Sequence, residues 1–159
     1  MTFKIALVGC GGMGRRHAHG YAELRKYFDT VIMSAVCDVH HDVASAVAGE
    51  IGAATGIAPE IYTDFDDMLA NSDLDGVAIV TSTPMHHQFA IKAMEAGLHV
   101  ITEKPMGLTL KACRQMRDVS IGTGKVLAIA ENYRRDPMNR LTKALITTGA
   151  IGVPYFAID

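Results

Sequence analysis

Lys4 to Val8 is a near-continuous apolar run, and it meets Gly9-Cys10-Gly11-Gly12-Met13-Gly14 without a spacer. A helical pattern starts inside that loop: Ala18, Tyr21, Leu24 and Phe28 recur at helical spacing up to Phe28, with Gly20 the only turn residue after Gly14. A buried strand that runs through G-x-G-x-x-G straight into a helix is a narrow specification. The first glycine allows a tight turn, the second lets backbone N–H groups approach a pyrophosphate, and the third lets the helix pack close to the strand. The helix N-terminus adds unpaired N–H donors and the positive end of its dipole. A glycine-rich turn also serves plain strand-to-helix geometry, so the loop alone does not establish a nucleotide site.

Val31 to Val36 predicts a second strand, closing at Cys37-Asp38, so Asp38 stands 24 positions after Gly14. An acidic residue at the end of the second strand of such a unit accepts hydrogen bonds from adenosine ribose hydroxyls. The alternative is a solvent-facing cap for the next helix. Loop and acid in register predict a bound dinucleotide, NAD in preference to NADP. Asp38 repels a 2′-phosphate, no Arg or Lys follows it before Val43, and His40 and His41 are weak substitutes. Cys10 is expected to be an apolar filler.

The rest of the chain keeps the alternation. Val43 to Ile51 reads as a helix stopped by Gly52, and Ile61-Tyr62-Thr63 as a short strand. Asp64 is a credible cap for a short helix through Leu69, and Val77 to Val80 is a fourth strand. Phe89 to Ala96 is helical and closes at Gly97, and His99 to Thr102 is the fifth strand. Thr109 caps a helix through Val119 that Gly122 and Gly124 end, and Val126 to Ala130 is the sixth strand. The expected fold is therefore α/β: a Rossmann doubly wound, mostly parallel sheet of about six strands. Past Pro137 the rhythm changes to a helix over Leu141–Thr148 and an apolar strand over Val153–Ile158. We expect residues 1–136 to form the dinucleotide-binding domain. Residues 137–159 are expected to be a connecting helix and the first strand of a second, α+β substrate domain.

Charge and cysteine content limit the partners. Lys plus Arg is 15 and Asp plus Glu is 17, a formal charge of −2, with no basic excess for nucleic acid or an anionic membrane surface. Cys10, Cys37 and Cys113 make no CxxC pair and no metal-ligand spacing, which fits a reducing cytoplasm and predicts no metal. Met1 to Gly9 has no charged n-region before a long apolar run, so it is not expected to be a signal peptide.

Ligands of open α/β sheets bind outside the carboxyl ends of the strands. Three of those ends are polar here: Thr81-Ser82-Thr83-Pro84-Met85-His86-His87, Thr102-Glu103-Lys104-Pro105, and Glu131-Asn132-Tyr133-Arg134-Arg135. Lys104, next to proline at a strand end, is the candidate proton-transfer group; the plainer alternative is a surface lysine paired with Glu103. His86 and His87 read as polar residues at a helix start. Adjacent histidines share no helix face, so no metal site is expected of them. His17, His19 and His99 carry no functional expectation.

The glycine loop continued through Arg15-Arg16-His17 resembles the start of the GFO/IDH/MocA oxidoreductases. So do Ala35-Val36-Cys37-Asp38, Ser82-Thr83-Pro84, Glu95-Ala96-Gly97-Leu98-His99-Val100, Glu103-Lys104-Pro105 and Gly149-Ala150-Ile151-Gly152, over essentially the whole chain and in the right order. The resemblance implies a nicotinamide-dependent dehydrogenase that moves hydride between NAD and a hydroxyl carbon of a sugar, polyol or related alcohol. It implies cofactor contacts from Gly9, Gly11, Gly12, Met13, Gly14, Asp38, Thr81, Ser82, Thr83, Pro84, His86, Glu103, Lys104 and Asn132. Lys104 would be the catalytic residue and, with Tyr133 and Arg134, would touch substrate. The Lys104–Pro105 bond is often cis in such proteins. The family's catalytic Asp and His lie in the C-terminal domain, which would follow Asp159, and a homo-oligomer is expected. An NAD(P)-sensing, non-catalytic regulatory protein of the same fold is the alternative, and a methyltransferase a more distant one.

Overall fold

The computed structural model describes residues 2–156. The chain divides by its contacts into two compact units, Met1–Ile129 and Ala130–Asp159.

The first unit holds six strands: β1 (Phe3–Val8), β2 (Val31–Cys37), β3 (Glu60–Tyr62), β4 (Gly76–Ile79), β5 (His99–Thr102) and β6 (Leu127–Ile129). They form one sheet in the order β3-β2-β1-β4-β5-β6, and every pairing is parallel. Helices α1 (Gly12–Arg25), α2 (His41–Thr55), α3 (Phe65–Asn71), α4 (Thr83–Glu95) and α5 (Leu110–Thr123) make the crossovers.

Strand periodicity sorts the core into two layers. Ile5 and Leu7 of β1 point to a cluster with Ala18 and Ala22 of α1 and Ala44, Val47, Ala48 and Ile51 of α2. Ala6 and Val8 point to the opposite cluster, with Phe65 and Met68 of α3, Ala90, Ala93 and Met94 of α4, and Met116 of α5. β4 splits the same way, Ala78 to the first layer and Val77 with Ile79 to the second. Both faces of the central strands are covered, which is why their sequences read as unbroken apolar runs. In β2, Met33 and Val36 share a face although three residues apart. The β1–β2 register jumps from Ile5↔Met33 to Ala6↔Ala35, so Ser34 is an inserted residue that resets the alternation.

Element ends follow local chemistry. The Asp64 side chain accepts from the Asp67 N–H at 2.8 Å and that of Thr109 from the Ala112 N–H at 3.1 Å, so both expected caps are present. Helix ends differ from the sequence reading: α1 stops at Arg25 rather than Phe28, and α3 runs past Leu69 to Asn71. α2 passes through Gly52 and ends at Gly56, because the bare Gly52 lets Ala58 pack against the helix. α4 begins at Thr83, six residues before Phe89, because Pro84 sits in its first turn, where its missing N–H is harmless. α5 runs to Thr123 and turns at Gly124.

In the second unit a 3₁₀ turn (Tyr133–Arg135) leads into α6 (Pro137–Thr147), earlier than the expected start at Leu141, since Asp136 caps it through the Met138 and Asn139 N–H groups. The expected strand over 153–158 is not formed over 153–156, and its last two residues lie outside the described ones. Val153, Tyr155 and Phe156 are exposed. Among the described residues no helix is long and apolar enough to cross a membrane.

Candidate functional site at the carboxyl ends of the strands

β1 and β4 are neighbours, yet the chain leaves β1 toward β2 on one side and β4 toward β5 on the other. Their carboxyl ends form the topological switch point, where such sheets hold ligands. Gly9 bends away from β1 at φ +92, and a Cβ on it would lie 2.6 Å from the Val80 carbonyl oxygen. A Cβ on Gly14 would lie 1.9 Å from the Gly9 carbonyl oxygen. These two glycines are required by the protein's own backbone. Gly11 and Gly12 differ: a Cβ on either would meet no atom within 4 Å. The loop is therefore open above the first turn of α1. Gly11 caps that helix without a side-chain bond, and the first turn holds no acidic residue. Its free N–H donors and its space suit a pyrophosphate.

Asp38 is fixed before any ligand arrives. Its Oδ2 accepts from the Cys10 N–H at 2.8 Å and its Oδ1 from the His40 N–H at 3.0 Å. The carboxylate thus stands at the β2 end against the glycine loop, with lone pairs left for hydroxyl donors. Beneath it, burial, with Asp38 and Cys37 adding to it, pushes the Cys10 thiol up to about 12. Burial, with Asp64 and Asp38, pushes Cys37 to about 11. Neither is a thiolate nucleophile. These residues fit the adenosine half of a dinucleotide.

At the β4 end, Thr81 and Ser82 form the turn, with Thr83 and Pro84 in the first turn of α4. His86 is 1% exposed. Its Nδ1 lies 3.0 Å from the Pro105 carbonyl oxygen and its Nε2 3.0 Å from that of Thr81. The structure places it behind the cleft wall, tying the β4 and β5 ends together. At the β5 end the Lys104–Pro105 peptide bond is cis, as the family resemblance implies. Lys104 is exposed and, among the described residues, makes no ion pair.

Glu103 does not turn to Lys104's ammonium. Its Oε1 lies 2.9 Å from His17 Nε2, and its Oε2 accepts from the Lys104 backbone N–H at 2.9 Å. Partial burial works against the charge of Glu103, but the bonds from His17 and the Lys104 N–H outweigh it and hold the carboxyl below its ordinary range. His17 carried no expectation. The available signal was its place one turn after Gly14, on the α1 face that packs toward the strand ends.

Asn132, Tyr133 and Arg134 fall in the second unit and are exposed. There the Tyr133 N–H donates to Glu131 Oε1 at 3.2 Å, and Asn139 Nδ2 donates to the Tyr133 carbonyl at 3.0 Å.

A glycine-loop strand-to-helix joint, a carboxylate at the second strand and an all-parallel six-stranded sheet define a dinucleotide-binding domain. Residues 3–131 match the model of the GFO/IDH/MocA oxidoreductase family, NAD-binding Rossmann fold, and the chain belongs to that family. It is 34% identical over 154 residues to D-apiose dehydrogenase of Paraburkholderia graminis, covering 97% of this chain and 39% of that protein. It is 29% identical over 155 residues to inositol 2-dehydrogenase of Klebsiella pneumoniae, covering 97% and 44%. The scyllo-inositol dehydrogenase of Lactobacillus casei, solved with bound NAD(H) and scyllo-inositol, superimposes with a TM-score of 0.84 at 31% identity, covering 96% of this chain and 43% of that one. The chain thus spans about two fifths of the length of these relatives.

Proposed function

We propose that this chain is the cofactor-binding part of a dehydrogenase that transfers hydride between NAD and a hydroxyl carbon of a sugar, polyol or related alcohol. The observation that carries the reading is the sharing of one sheet edge by three elements: the open Gly11–Gly12 loop, the pinned Asp38 carboxylate, and the Glu103-Lys104-Pro105 turn.

NAD, when bound, supplies the hydride acceptor at its nicotinamide. The α1 N-terminus and the loop amides hold the pyrophosphate. Asp38 accepts from the adenosine ribose hydroxyls and repels a 2′-phosphate. Thr81, Ser82, Thr83, Pro84 and Glu103 border the cofactor, and Asn132 joins them. Lys104 presents an ammonium to the substrate hydroxyl, orients it, and in its neutral form takes its proton. Tyr133 and Arg134 touch the substrate. Residues 137–159 open the second domain, which completes the substrate cleft, and the protein works in the cytoplasm as a homo-oligomer on small molecules. The similarity to sugar and polyol dehydrogenases supports the substrate class.

Titration of this chain with NADH, followed by nicotinamide fluorescence, tests the cofactor reading; an unchanged signal at millimolar NADH overturns it. A polyol and sugar panel assayed on a protein of the relatives' length tests the chemistry. There Lys104→Ala should lower kcat by roughly 10²–10⁴-fold with cofactor affinity little changed.

A further inference from the structure

Lys104 is exposed and unpaired among the described residues, so its side chain does not fix its own direction. What is fixed is the peptide it leaves from. Glu103 uses both carboxylate oxygens for this: Oε2 folds back onto the Lys104 N–H, and Oε1 meets His17. Without a second anchor the Glu103 side chain would rotate freely, and its bond to the adjacent N–H would be one rotamer among several. His17 removes that freedom. Its side chain is 19% exposed and that of Glu103 13%, so water competes weakly for either. Because the carboxyl of Glu103 is held ionised, Nε2 is the nitrogen that carries the proton and donates. His17 stands on α1, the helix whose N-terminus closes the glycine loop, 86 residues away in sequence from Glu103.

We infer that His17 is a positioning residue: acting through Glu103, it sets the Lys104 peptide and so the direction in which Lys104 enters the cleft. The chemical role of Lys104 rests on the proposed dehydrogenase function; the His17–Glu103–Lys104 linkage does not.

Amide hydrogen exchange of this chain, resolved by NMR, tests the linkage with no cofactor present. His17→Leu should speed exchange of the Lys104 amide by about tenfold, the protection that one hydrogen bond gives. Core amides such as that of Ala78 should be unchanged. His17→Gln keeps an N–H donor and should restore protection to within about threefold of the parent. An unchanged Lys104 amide in His17→Leu overturns the inference. So does a rise shared equally by Lys104 and the β4 core, which would make His17 a general stabiliser. Failure of the parent chain to bind NADH overturns the functional reading and leaves the linkage standing. In a protein of the relatives' length, His17→Leu should lower kcat with the KM for NAD little changed, and His17→Gln should recover most of that loss.

Discussion

We propose that Asp38 sets cofactor choice before contact. The Cys10 and His40 N–H groups hold its two oxygens in place. Asp38→Ser removes the charge and the repulsion. The ratio of NADPH to NADH dissociation constants should be above one in the parent and fall by roughly tenfold or more in the variant, the weight of one charged hydrogen bond. A parent that prefers NADPH refutes this role for Asp38. Glu103 gives a pH signature. Its folded-state carboxyl titrates below its unfolded value of about 4.3, so its contribution to stability is present above that value and is lost as the pH falls through the folded one. In urea unfolding, the advantage of the parent over Glu103→Gln should be full at about pH 7 and shrink progressively as the pH falls below about 4.3. At this scale the sequence named Asp38, Lys104 and the loop glycines, because strand-end position is legible from a linear pattern. It did not name His17's partner. A contact between an α1 residue and a β5 end follows only from the sheet order, which places β4 between β1 and β5.

Among elements, the strand-to-helix joint carries the most information. Four glycines there do two different jobs, and alanine separates them. Gly14→Ala drives a methyl into the Gly9 carbonyl at 1.9 Å, so α1 must lift off β1. Expected losses are in stability, about 1–3 kcal/mol, as for overpacking a tight contact, and in NADH binding as well. Gly11→Ala meets no atom, and its residue has an ordinary φ of −64. The folded chain should tolerate it, with stability within about 1 kcal/mol of the parent. Only the approach of a pyrophosphate would be blocked, so NADH affinity should fall at unchanged melting temperature. Equal NADH affinity in Gly11→Ala would place the phosphates elsewhere. The alternation of strands and helices was legible because central strands lack polar faces and helices keep a period near four. Boundaries were less so. Gly52 read as a stop, but tertiary packing of Ala58 overrides its low helix propensity. Thr83-Pro84 read as part of a strand end ahead of the helix, although proline is at home in a first turn.

At the scale of the molecule, the first unit carries its own two-layer core. Its strand-end edge offers one wall, on which Lys104 stands exposed. Hydride transfer needs the reacting carbon held about 3–3.5 Å from its acceptor with water kept out. An exposed lysine beside an open loop meets neither condition by itself. The second unit, taken alone, keeps an apolar stripe in solvent, with Met138, Leu141 and Leu145 of α6 exposed, as are Val153, Tyr155 and Phe156 after it. A stripe of that kind at helical spacing is built to be covered. The inositol and apiose dehydrogenases it resembles are more than twice as long as this chain. The 159-residue chain should therefore bind NADH yet leave nicotinamide absorbance unchanged with every sugar and polyol offered together with NAD. In a protein of the relatives' length, turnover should appear and the α6 stripe should be shielded from an apolar dye. Turnover by the 159-residue chain alone would refute this division of labour, because it would mean that the strand-end edge excludes water without a second wall.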